Sequence, residues 1–177
     1  MKNENQSIDK APSPISSAIK NITRMPGSLT GDAEADRLIL QYGRPFVGIK
    51  RPEGFSRGPR KECYLNSYDL ITIPGATYCE GFAIGNSLEF HHAWITCDGE
   101  HAIDVTLPDG QEHSYFGIEF RSDQFEQFAI SRMTDGYMRP ILGYPVNDQL
   151  RNFPRDIGLQ TTTPLETNVT KLDADHV

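Results

Sequence analysis

Long hydrophobic runs are missing from this 177-residue chain. No stretch approaches the roughly 20 apolar residues that a membrane-crossing helix needs. Positive charge is also scarce. Seventeen Lys and Arg face 24 Asp and Glu, a net charge of −7. That argues against a general nucleic-acid binder, because phosphate contacts need clustered cations. Cysteine occurs three times, at Cys63, Cys79 and Cys97. There is no CxxC pair, and zinc held by Cys79, His92 and Cys97 fits no common ligand spacing. The odd cysteine count, with no apolar leader core in residues 1–14, points to free thiols and a cytoplasmic start. Export by a signal-independent route stays open. No phosphate-cradling Gly-rich motif occurs, so no cofactor is expected.

What is present suits one rather polar globular domain, with 37% hydrophobic and 23% charged residues. Residues 1–30 are rich in Asn, Ser, Pro and Lys and read as a disordered tail, with a partner-binding or export role as one use. Residues 161–177 read as a second flexible end. The working domain is expected over 31–160. Asp32 can cap a first helix, with Ala35, Leu38, Ile39 and Tyr42 at helical spacing and Gly43 as its stop. A Gly/Pro/Arg loop over 51–60 leads into a second helix over 62–71. Strands are expected over 77–83, 90–96, 100–107 and 115–120, where aromatic and β-branched residues concentrate. Ser122 caps a helix to about residue 133, and a last short helix is expected over 147–153. This order predicts an α+β fold, with a cysteine-bearing helix on a small antiparallel sheet and further helices C-terminal.

One group of residues carries chemistry. A neutral-pH thiol is mostly protonated, and a helix start or a neighbouring imidazolium activates it. Cys63 falls in the first turn of its expected helix, where a backbone N–H can also face an oxyanion. The base should then come from another element, held by a third group. His92 and Asp104 lie on two expected strands joined at Asp98-Gly99. A three-residue loop, Cys97-Asp98-Gly99, with Gly99 left-handed, pairs Thr96 with Glu100 and sets His92 opposite Asp104. A two-residue loop, Asp98-Gly99, would put His91 on the face of Asp104 instead.

The runs CYLNSYDL, YCEGFA and HHAWITCDGEHAIDVT resemble the core of the transglutaminase-like branch of the papain-like cysteine enzymes. The matching residues are Cys63, Glu80-Gly81, His92-Ala93-Trp94 and Asp104-Val105-Thr106, within about a quarter of the chain. The resemblance implies a papain-like core, a Cys63 nucleophile, a His92 base and an orienting Asp104. Members include proteases, amidases, deamidases and acyl transferases, so it does not name the reaction.

Four residues are candidate helpers. Asn66, one turn after Cys63, can face the same cleft as an oxyanion helper. Glu80 is a carboxylate in an expected buried strand and needs a partner or a role. Trp94 shares the face of His92 and can wall a substrate cleft, with His91 beside it. Arg51, Arg57, Arg60 and Lys61 form a basic loop next to the site, suited to an acidic patch on a protein or peptide substrate. The expected activity is amide hydrolysis or acyl transfer through a Cys63 thioester. The alternative is a binding or effector protein that keeps the fold without the chemistry.

Overall fold

The computed structural model describes residues 33–85, 88–120 and 122–142. Helix α1, Ala33–Tyr42, turns Leu38 and Ile39 inward, and Gly43 ends it. Strand β1, Arg44–Ile49, follows at once. Helix α2 covers only Cys63–Tyr68, and turns continue the chain to strand β2, Thr77–Gly85. Strands β3, Leu88–Thr96, and β4, His101–Ile103, come next. A 3₁₀ turn, Gly110–Glu112, leads to strand β5, Ser114–Phe120. Helix α3, Ser122–Arg132, runs into a small hairpin of β6, Met133–Thr134, and β7, Tyr137–Met138. Asp135 and Gly136 both take positive φ there, the conformation a two-residue hairpin turn requires.

The sheet closes on itself in the order β1-β4-β3-β2-β5, and β5 returns to β1. All neighbours are antiparallel except β1 and β4, which run parallel. This corrects the expected papain-like α+β core of a cysteine helix on a small antiparallel sheet. The described fold is a five-stranded mixed β-barrel with three short helices. The overlooked element is β1, which pairs with β4 on one side and β5 on the other and so converts a meander into a closed barrel.

Each strand alternates its side chains, so the barrel has two sets of neighbours. Phe46, Cys79, Ala83, Trp94, Ala102 and Tyr115 form one buried cluster with members from all five strands, which makes it the barrel interior. Outside, Tyr78, Phe82, Ala93, Ile118 and Phe120 pack with residues of the helices. The interior is narrow. Gly81 and Gly117 are register partners between β2 and β5. A Cβ on Gly117 would strike the Glu80 carbonyl and lie 2.6 Å from the Trp94 ring. Two opposed glycines therefore make room for one indole. At one end of the interior Arg44 stacks on Phe46 and binds Glu119 and the Gly99 carbonyl.

Several expectations shift in detail. The helix expected over 62–71 is six residues long, and the strand expected over 100–107 stops at Ile103. The tails, the Asp32 cap and the helix over 147–153 lie outside the described residues, as does the side chain of Ser122. No helix among the described residues is long and apolar enough to cross a membrane.

Candidate active site

Only Ile95 and Ile103 face each other in the β3–β4 ladder. The expected register, with His92 opposite Asp104, is therefore offset by two residues. The cause is the loop. The Asp98 carboxylate accepts the amides of Glu100 and His101, both at 2.8 Å, and Thr96 Oγ1 accepts that of Gly99 at 3.0 Å. Side chains satisfy those amides, so the ladder starts later than a tight bulge allows. Gly99 does take the left-handed conformation, with φ of 78°. A two-residue offset preserves side-chain parity, so His92 and Asp104 remain on the same face.

His92 Nε2 lies 2.7 Å from Asp104 Oδ2. His92 is 3% exposed and Asp104 likewise 3%. Asp104 sits just past the end of β4 rather than inside a strand. Its Oδ1 accepts the amides of Thr106 at 2.7 Å and Leu107 at 2.9 Å. Its Oδ2 also accepts the Tyr115 hydroxyl at 2.8 Å. Four partners thus fix this carboxylate. Burial opposes its charge, but His92 and the two amides outweigh burial and hold it below the usual carboxylate range. For Tyr115, burial and then the Asp104 charge push the phenol well above its ordinary range, so it stays a donor.

For His92, burial opposes the charged ring. The Asp104 hydrogen bond, followed by the influence of the neighbouring Cys63 thiol, more than reverses this and raises its pKa to about 9. Asp104 holds Nε2, which leaves Nδ1 uncommitted to that carboxylate. The β3–β4 ladder is confined to Ile95 and Ile103, and α2 packs against β3. The loop before α2 is stitched to the segment after β4: the Gly58 amide donates to the Val105 carbonyl at 2.8 Å, and Arg57 Nε to the Thr106 carbonyl at 3.3 Å. These ties anchor the loop that leads into Cys63, the first residue of α2, which packs in the cluster outside the barrel. Cys63 is 8% exposed.

The other candidates fall elsewhere. Asn66 Nδ2 spends its hydrogens on the Pro59 carbonyl at 2.8 Å and Thr106 Oγ1 at 2.9 Å. It braces the loop instead of offering donors to an oxyanion. Glu80 pairs across the sheet with Ala93, on the opposite face from His92. Its carboxylate accepts the Tyr78 hydroxyl at 2.6 Å and the amides of Ile141 at 2.7 Å and Leu142 at 3.0 Å. Burial pushes its pKa up to about 6 despite those bonds. Trp94 is not a cleft wall: it is wholly buried between Phe46 and Tyr115, and its indole N–H has no acceptor among the described residues. His91 faces outward, with Nε2 2.8 Å from Asp36 Oδ1 on α1.

Cys79 is buried in the barrel interior and Cys97 is exposed in the β3–β4 loop. Among the described residues no three His, Cys, Asp or Glu side chains gather as a metal site. Sequence reasoning missed Tyr115 as the fourth partner of Asp104. Its signal was a phenol at an alternating position of the run YFGIEF, where a buried hydroxyl needs an acceptor. Comparison with protein-family models, curated proteins and solved structures finds no match to this chain.

Proposed function

We propose that the chain is a cysteine-dependent acyl-transfer enzyme acting on an amide, with Cys63 as nucleophile, His92 as base and acid, and Asp104 as the orienting group. One observation carries the reading: a buried imidazole bonded to a carboxylate that is itself fixed by three further donors, with the Cys63 thiol near enough to raise the ring's pKa. The transglutaminase-like sequence motifs support it independently of the barrel, which differs from the core they implied.

In this reading Nε2–H donates to Asp104 and Nδ1 carries the proton taken from Cys63, the protonated ring being the form that the raised pKa favours. The thiolate attacks the amide carbonyl carbon. As the carbon–nitrogen bond breaks, the imidazolium returns the proton to the leaving nitrogen and a thioester remains. Water or an amine then attacks the thioester carbonyl with His92 again as base. The carbon–sulfur bond breaks, and protonation of the sulfur restores the thiol. The products are a carboxylate or a new amide.

The test exploits an inversion of accessibility. Cys97 is exposed, whereas Cys63 is 8% exposed and Cys79 wholly buried. If exposure alone governed alkylation, Cys97 would react first. Its thiol is pushed up by partial burial and the Asp98 charge, and burial pushes Cys79 up as well. Iodoacetamide followed by peptide mass mapping should modify Cys63 first, and His92→Ala should abolish that preference. Faster modification of Cys97 in the wild-type protein would sink the proposal.

A further inference from the structure

The acidic chain carries an uneven distribution of positive charge. Lys50, Arg51, Arg57, Arg60 and Lys61 fall within twelve residues of a protein whose net charge is −7. The structure gathers them around two open cavities that share Leu107 and Pro108 as a dividing wall. One, of ≈ 250 Å³, is lined by Lys50, Arg51, Asp104 and Gln111; the other, of ≈ 310 Å³, by Arg57, Arg60, Lys61 and Thr106. Arg57, Arg60 and Lys61 are exposed, and no carboxylate pairs with any of the five cations among the described residues. Asp104, the one acidic residue in either lining, is already committed to His92, Tyr115 and two amides.

Both cavities abut the segment that holds the orienting carboxylate. The second ends at Lys61, two residues before Cys63. Lys61 has φ of 69°, a left-handed conformation that a lysine rarely adopts, and it lies outside any hairpin turn. Such outliers concentrate at working sites. The cation pair and triplet stand on opposite sides of an apolar wall, each beside a space fit for about one side chain. Unpaired guanidinium and ammonium groups in such a position gain most from a carboxylate, which an arginine can grip with two hydrogen bonds.

We infer that these two cavities are substrate subsites for acidic side chains flanking the amide that Cys63 attacks, so the substrate is a peptide or protein segment bearing Asp or Glu near the reacting residue. This rests on the acyl-transfer reading for its orientation toward Cys63. The overall charge of −7 opposes a nucleic-acid occupant.

The experiment separates the two readings by measuring binding without chemistry. Cys63→Ala protein is titrated into a fluorescein-labelled peptide with two glutamates on each side of a central glutamine, and into the same peptide with every glutamate replaced by glutamine. Fluorescence anisotropy should show the glutamate peptide bound at least about tenfold more tightly, with the advantage shrinking as salt rises from about 0.05 M to about 0.5 M. Arg60→Glu with Lys61→Glu should reverse the preference toward a lysine-containing version, whereas Arg37→Gln, at an exposed site on α1, should leave it unchanged. Lys50→Gln with Arg51→Gln tests the other subsite and should also weaken binding. Equal affinity for the two peptides, or no response to charge reversal, overturns the inference. So does displacement of the peptide by inorganic phosphate at millimolar concentration with no dependence on the glutamates, which would assign the cavities to a phosphate group. Binding as expected with no preferential alkylation of Cys63 would leave the subsites standing and remove the chemistry.

Discussion

Replacing Asp104 by asparagine should return His92 toward an ordinary histidine. An imidazole unperturbed by its surroundings titrates near 6.5. In the barrel it is raised to about 9, with Asp104 the leading cause and Cys63 the second, both acting against burial. The difference corresponds to something on the order of 3 kcal/mol favouring the protonated ring. Asparagine keeps the shape and one acceptor oxygen but removes the charge, so the larger share of that preference should go. The assay is the pH titration of the His92 ring Cε1–H signal by NMR, assigned with a His92→Gln variant. The wild-type midpoint should lie near 9, and the Asp104→Asn midpoint should fall below about 8. The same perturbation has a sign in stability. Because the folded pKa is raised, His92 contributes its full stabilisation below about 6.5 and loses it as pH rises through about 9. The wild-type protein should therefore lose stability from this group between neutral and alkaline pH, and Asp104→Asn should flatten that slope. A wild-type midpoint at or below about 6.5, or one that Asp104→Asn leaves unmoved, would refute the reasoning.

Two other changes probe the scaffold. Gly117→Ala places a methyl against the Glu80 carbonyl and the Trp94 ring, and should destabilise the barrel by at least about 2 kcal/mol, read as a lower urea midpoint. An unchanged midpoint would mean that the barrel interior is wider than described. Glu80→Gln leaves an amide group facing the backbone donors of Ile141 and Leu142. It should cost about 1–3 kcal/mol and expose those two amides to hydrogen exchange. Since burial raises Glu80 to about 6, its ionisation lowers stability as pH rises from about 4.3 toward that value, and Glu80→Gln should remove that slope.

The parts of the fold visible in the sequence are those set by local chemistry. The spacing of Leu38 and Ile39 with the stop at Gly43 placed α1 to within a residue, and the aromatic runs placed β2, β3 and β5. The element that decides the architecture is β1, whose sequence RPFVGI holds a proline and a glycine and has too few apolar residues to signal a strand. Its identity depends on partners about 55 and 70 residues away, in β4 and β5. A parallel pairing of that kind leaves no turn signature. Gly48 shows the constraint from the other side: a Cβ there would run into the carbonyls of Gly110 and His113, so the glycine is required by an approach visible only in three dimensions. Without β1 the remaining strands read as a meander, and the cysteine helix reads as a layer on an open sheet.

The His92–Asp104 pairing was legible for a different reason, which explains how a wrong register left the right partner. Face selection in a strand depends only on whether the offset is odd or even. The loop adds two residues to the register by using Thr96 and Asp98 side chains to satisfy backbone amides, and an even offset leaves His92 inside and His91 outside. An odd offset would have exchanged them and set His91, now bonded to Asp36, against the carboxylate. The exact opposition expected between His92 and Asp104 was unnecessary, because Asp104 lies beyond the last strand residue and is aimed by its bonds to Thr106, Leu107 and Tyr115 instead of by a ladder. Cys63 was legible as a thiol at a helix start, but its nearness to the imidazole depends on the packing of α2 against β3 and on the ties between residues 57–58 and 105–106. Both ties end on backbone carbonyls, which every sequence supplies, so the placement of Cys63 left the weakest trace in the sequence.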